Sequence, residues 1–369
     1  MANSAAADGL KVQKWDDEFF REYFQENPFR SYMGTDANSI IQVKEDQVGR
    51  YQKVTYALLN NLSNNGVTGS NTLEGSEESM DNRSFSVTVD KLRNAIRVPE
   101  IEEQYNSFSL RQAARPLLMD WAMETGTTQR VVDALQSING VAYGSASEAQ
   151  KDAWLDDNTD RVFFGVNGVA NFSTSAPAGG ATYDHSASLA LCDTSADILT
   201  TSLLSTLKRA ALTASPKIKP IRVGRDNRRY YVAFVHPRVM ADLKTDTALV
   251  NAQRETIIRQ QNNRLFQGGD VEYDGIIVHE VDQMPILSGV GAASADVSPV
   301  FFCGAQAVAY AIAKRWRSVS EQFDYEDKQG VAVETIDAIE KMQFGAGSAD
   351  TDDLKDHGLV TGYVAVNTA

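Results

Sequence analysis

Hydrophobic and polar positions recur with different periods along this chain, and those periods mark out its elements. In SFSVTVDKLRNAIRV, starting at Ser84, alternation sets Phe85, Val87 and Val89 against Ser86, Thr88 and Asp90, which predicts a half-buried strand. VTYALL, from Val54, reads as its partner, and the polar, glycine-dotted stretch NNLSNNGVTGSNTLEGSEESMDNR lies between them. A long two-stranded ribbon results. Isolated hairpins are marginal in water, so this one needs support from another element, some of it expected from another subunit.

Residues 109–138 change to helical spacing, with apolar groups at Leu110, Ala113, Ala114, Leu117, Leu118, Trp121, Ala122, Val131, Val132, Leu135 and Ile138. One long helix is predicted, capped by Ser107 or Ser109, ended by Gly140, bent early by Pro116 and disturbed at Gly126. Residues 141–194 are rich in Gly, Ser, Ala and Asn and read as irregular surface structure or an insertion. A second helix follows in SADILTTSLLSTLKRAAL, through Ile198, Leu199, Leu203, Leu207 and Leu212, and stops before Pro216.

Beyond it, RRYYVAFV is a strand, Pro237 opens a short helix after His236, and VEYDGIIVHEVDQMP turns as a hairpin at Asp274-Gly275. VSPVFFCGAQAVAYAI reads as a buried strand, a glycine and a small helix. SVSEQFDYEDKQGVAVETIDAIEKMQF gives two strands joined at Lys328-Gln329-Gly330, and a polar tail starts at Gly345. Near the start, Trp15, Phe19, Phe20, Tyr23 and Phe24 suit one short amphipathic helix. The aperiodic stretch beyond Pro28 reads as an extended arm, the alternative being an ordinary helix packed on its own core. No internal repeat is present.

At 369 residues the chain exceeds one compact core and is expected to fold as two or three sub-structures. Its net charge of -14 argues against a surface that grips phosphate, so an acidic protein near DNA would contain it rather than adhere to it. Two cysteines, Cys192 and Cys303, make no disulfide framework, and the N-terminus lacks an apolar signal core, which points to folding in a reducing cytosol. No run approaches the roughly 18 apolar residues of a membrane span.

Reactive chemistry is sparse. There are four histidines, and Asp184, His185 and Ser186 are chain neighbours, which cannot build a nucleophile, base and orienter geometry. His236 opens a helix and His279 stands beside Glu280 in a strand, so neither shows zinc-site spacing. Phosphate-cradling glycine motifs are missing, and in DTDDLKDHG, from Asp350, Leu354 occupies a ligand position that a calcium loop needs. No catalytic, cofactor-binding or metal-binding residue is expected. The basic cluster Lys217, Lys219, Arg222, Arg225, Arg228 and Arg229 is either a nucleic-acid patch or a charged loop meeting acidic neighbours; no aromatic platform precedes Tyr230, which favours the loop.

Six consecutive segments carry a family likeness: VTYALLNNLSNNGVTGSNTLEGSEESM, SFSVTVDKLRNAIRV, FSLRQAARPLLMDWA, YYVAFVHPRVMADLKTD, LFQGGDVEYDGIIVHE and CGAQAVAYAI. In this order the chain resembles the major capsid proteins of tailed bacteriophages, in particular those of the N-four-like podoviruses, from about residue 46 to residue 344. The first three in succession are the specific part. The likeness does not extend to the first 45 residues or to 141–194.

The resemblance implies an α+β fold of the Hong Kong 97 type. It would divide the chain into an N-terminal arm (1–47), an extended loop (48–100), a peripheral domain (101–194, with a spine helix at 109–138 and the insertion 141–194), an axial domain (195–310), a return to the peripheral domain (311–345) and a C-terminal tail (346–369). It implies a virion shell subunit that forms pentamers and hexamers around packaged double-stranded DNA, assembled in the host bacterial cytoplasm. The DNA would be held without sequence-specific binding. Implied partners are a portal protein, a packaging motor and, with no long charged helix ahead of the arm, a separate scaffolding protein; whether a cement protein also decorates the shell is left open. Expected inter-subunit contacts are Gly66, Val67, Gly69, Leu73, Glu74, Gly75, Glu77 and Glu78 at the loop tip and Trp15, Phe19 and Phe20 in the arm. The glycines would shape the tip, Val67 and Leu73 would give apolar contact, and the glutamates would supply charge. The rivals are a tail-tube or head-decoration protein and, from another class, a hydrolase around Asp184 and His185.

Overall fold

The computed structural model describes residues 27–45, 52–59, 66–69, 72–75, 77, 82–105, 110–165, 172–223, 228–251, 266–267, 270–325, 327–347 and 349–367. Strands β1 (Met33–Gly34) and β2 (Ile41–Glu45) precede the ribbon strands β3 (Lys53–Leu59) and β4 (Asn82–Thr88), then β5 (Asp90–Pro99) and helix α1 (Glu100–Tyr105). Helices α2 (Leu110–Met123) and α3 (Gln129–Gln136) follow, joined through a π-helical turn at Glu124–Thr128. Next come α4 (Glu148–Asp157), β6 (Val162–Phe164), α5 (His185–Leu189) and α6 (Thr201–Thr213). The chain continues through β7 (Ile221–Val223), β8 (Arg228–Val235), α7 (Pro237–Thr245), β9 (Phe266–Gln267), β10 (Asp270–Tyr273), β11 (Ile276–Glu280) and β12 (Val297–Cys303). It ends with β13 (Val308–Phe323), β14 (Lys328–Lys341), β15 (Gln343–Gly345), β16 (Leu354–Asp356) and β17 (Leu359–Ala365).

Two larger sheets organise these elements. One runs β1-β2-β13-β14-β5, and α2 and α3 lie across one of its faces. Leu118 and Ala122 of α2 bury against Trp316, Val331 and Val333, while Val131, Val132 and Leu135 of α3 meet Val308, Tyr310 and Ile312. The expected disturbance at Gly126 is the π-helical turn. Its cause is packing: a Cβ at Gly126 would stand 2.7 Å from the Trp316 ring, so only glycine lets that indole seat against the helix. The other sheet runs β6-β17-β12-β8-β11-β10-β9, with β7 paired to β8. Helices α6 and α7 cover it through Leu203, Leu204, Leu207, Val239, Met240 and Leu243.

Four expectations differ from the structure. The run after Gly304 is strand β13, not a small helix, because both its faces are buried, and alternation disappears from a sequence with no solvent side. The β13–β14 turn falls at Asp324 and Tyr325, both at positive φ, and Lys328–Gly330 already belongs to β14. Residues 141–194 are not merely irregular: α4, β6 and α5 gather Trp154, Leu155, Phe164 and Leu189 into a core with Val297 and Tyr363. Their polar residues serve as caps, Ser147 with Gln150 in a capping box on α4 and Asp184 on α5. Finally, the polar tail returns as β17, which is buried along its length between β6 and β12.

Candidate assembly interface

The ribbon pairs Lys53 with Thr88 through Leu59 with Asn82, and its two ends have opposite surroundings. At the base, the side chains predicted to share a face do so: Phe85, Val87 and Val89, with Val54, Tyr56 and Leu58, pack on Ala309, Ala311, Ala338, Met342 and Phe344. This is the face of the first sheet opposite the helices, so support for the base comes from the same chain. The alanines keep β13 and β14 low enough for the ribbon to lie flat on them.

Polar contacts fix the angle of approach. Lys44 Nζ donates to the Thr55 carbonyl at 2.9 Å and stands 4.0 Å above the Tyr56 ring. From the other side, Arg83 Nη2 donates to the Gly347 carbonyl at 2.8 Å and Ser84 Oγ donates to Asp350 Oδ2 at 2.6 Å. Those Ser84 bonds, with Arg83 nearby, hold the Asp350 carboxyl below its ordinary pKa. The acidic stretch that failed as a calcium loop is therefore part of a clasp on the ribbon.

At the tip, Gly66, Gly69 and Gly75 have φ of 74°, 72° and 87°, and a Cβ on any of them would meet nothing within 4 Å. Leu73 is 61% exposed, and Glu74 and Glu77 are exposed, with Gly75 N donating to Glu77 Oε2 at 2.7 Å. Val67 is half-buried. Glu78, Trp15, Phe19 and Phe20 lie outside the described residues. Sequence reasoning named the tip but missed the clasp, whose partners are more than 260 positions apart in the chain.

The residues weighed for catalysis are absorbed in packing. Asp184 caps α5 by accepting from Ala187 N at 2.8 Å, and Ser186 Oγ donates to Glu148. His185 is fully buried among the rings of Tyr143, Trp154, Phe164 and Tyr363, and burial lowers its pKa to about 3. His236 Nδ1 accepts from Arg238 N at 3.1 Å as the α7 cap, and His279 faces the rings of Tyr32 and Phe234. Cys192 and Cys303 are free and buried, and burial pushes the Cys192 thiol up to about 12. Among the described residues, no group of three or more His, Cys, Asp or Glu is placed to hold a metal ion.

A family model described as phage capsid protein matches residues 3–368. The major capsid protein of Pseudomonas phage KPP25 is 28% identical over 95% of this chain and 94% of its own length. Among solved structures, the capsid of cyanophage Pam1 superposes with a TM-score of 0.79 at 28% identity, covering all of both chains. The capsid of Ralstonia phage GP4 has the same fold, with a TM-score of 0.69 at 19% identity over 92% of this chain and 91% of that one.

Proposed function

Because the chain belongs to the phage capsid protein family, we propose that its copies close head to tail into pentamers and hexamers that tile an icosahedral shell around double-stranded DNA. It is a major capsid protein, a structural subunit of the virion head and not an enzyme. The tail-tube, head-decoration and hydrolase alternatives give way to that assignment. The regions keep their proposed roles: arm to residue 47, extended loop 48–100, peripheral domain 101–194 and 311–345, axial domain 195–310. Residues 346–367 then act as more than a tail, since they hold the ribbon and complete a sheet.

The ribbon supports this reading best. Its base is anchored in its own chain, while its tip has positive-φ glycines with open space where a Cβ would stand, an exposed leucine and exposed carboxylates. Such a tip has the chemistry of a contact completed by a neighbour: Leu73 and Val67 to lose water, Glu74, Glu77 and Glu78 to select a complementary surface. Partners in assembly would be a separate scaffolding protein, a portal, a packaging motor and a cement protein, in the host bacterial cytoplasm. The acidic chain would hold DNA without sequence-specific contact.

Removing residues 63–80 tests the proposal. The shortened chain is expected to fold, because the ribbon base and both sheets are untouched, and to remain unassembled in sedimentation velocity. Recovery of normal shells from it would refute the role of the tip.

A further inference from the structure

Five cations among the described residues gather around the β7–β8 pair, all exposed: Lys217 and Lys219 before β7, Arg222 within it, and Arg228 and Arg229 on β8. The strand register sets Arg222 directly opposite Arg229. Like charges facing each other across antiparallel strands destabilise the pair unless an anion comes to them. Among the described residues, Lys217, Lys219, Arg222 and Arg229 have no carboxylate partner.

The backbone beneath them is held firmly. Ile218 and Ile221 are buried, Tyr231 Oη donates to the Ile218 carbonyl at 3.0 Å, and Ala305 N donates to the Lys219 carbonyl at 2.7 Å. Asn38 brackets Arg222, accepting from its N–H at 2.7 Å and donating to its carbonyl at 2.8 Å. Glycine is required at 304, where a Cβ would come within 2.4 Å of the Lys219 carbonyl. The cations therefore stand on a rigid platform, which lowers the ordering cost of binding.

We propose that this patch docks a carboxylate-bearing face of a second copy of this chain, each copy offering its cations to the next around a ring. The inference rests on the capsid reading above. Charge decides the occupant: with 49 acidic against 35 basic residues, a neighbouring copy has carboxylates in excess to offer the patch. The same net charge of -14 opposes a DNA duplex approaching within a Debye length, ~10 Å in moderate salt. Tyr230, the adjacent aromatic, packs toward the core instead of standing out for a base to stack on.

The test compares wild type, Arg222→Lys with Arg229→Lys, and Arg222→Glu with Arg229→Glu by sedimentation velocity and electron microscopy, with binding to a short DNA duplex measured in parallel. The Lys pair is expected to assemble, and the Glu pair to lose at least tenfold in assembled fraction while staying folded by circular dichroism. Wild-type assembly should weaken as salt rises. Normal assembly of the Glu pair would overturn the proposal and leave the capsid reading intact. Loss of duplex binding without loss of assembly would also overturn it, in favour of DNA. A wild type that never self-associates would overturn both. Should the Glu pair misfold, Arg222→Gln with Arg229→Gln carries the test, and unaltered assembly of that variant would be decisive against the proposal.

Discussion

His185 and His357 are two neutral imidazoles inside the protein, with burial holding their pKa down to about 3 and about 4. Both titrate near 6.5 when unfolded, so below that pH the unfolded chain takes up protons that the folded chain refuses. Their stability contribution is complete above pH 6.5 and declines as pH falls toward the folded values, by about 2 kcal/mol for each histidine at pH 5. Denaturant unfolding of unassembled chain at pH 7.5 and pH 5 should show this loss, and His185→Gln should remove about half of it. Lys341 presents a second case. Its ammonium is buried 2.8 Å from Asp356, which also accepts from Gln343 Nε2 at 2.7 Å and from Trp154 Nε1 at 3.3 Å. Burial lowers the lysine pKa and the Asp356 charge opposes that. Lys341→Met strands the carboxylate and is expected to cost about 3–5 kcal/mol, with Lys341→Met combined with Asp356→Asn regaining much of it in the same unfolding assay.

Elements show where sequence pattern is informative and where it fails. The ribbon was legible because one face is buried and the other is wet, so Phe85 and Val87 alternate with Ser86 and Thr88. Helices α2 and α3 were legible for the same reason at a period near 3.6, with even the disturbance at Gly126 visible as a residue type. Strand β13 was misread because Val308 to Ile312 is buried on both sides, by α3 on one and by the ribbon on the other. Residues 141–194 were underread because their few large groups, Trp154, Phe164 and Leu189, are spread among residues whose capping roles appear only in three dimensions. The π-helical turn offers a direct check on the spine. Gly126→Ala drives a methyl into Trp316, and an overpacked core is expected to lose about 1–3 kcal/mol, read as a lower unfolding midpoint with an unchanged m-value.

At the scale of the whole molecule, the chain has two helix-covered sheets and places two unlike features on its surface: a ribbon tip with exposed glycines, leucine and carboxylates, and a basic platform. A closed ring of identical subunits needs such unlike faces, since each copy must offer one to the neighbour ahead and another to the neighbour behind. The tip could be named from sequence because glycines, a leucine and glutamates cluster within one polar stretch. The clasp on the ribbon could not, because Arg83, Ser84, Gly347 and Asp350 come together only after β14 and β15 fold back along β4. The measurement that bears most directly on the account is electron microscopy of the chain produced alone and together with a candidate scaffolding protein. Rings of five and six or closed polyhedral shells are the predicted result; a uniform monomer or dimer in both samples would contradict it.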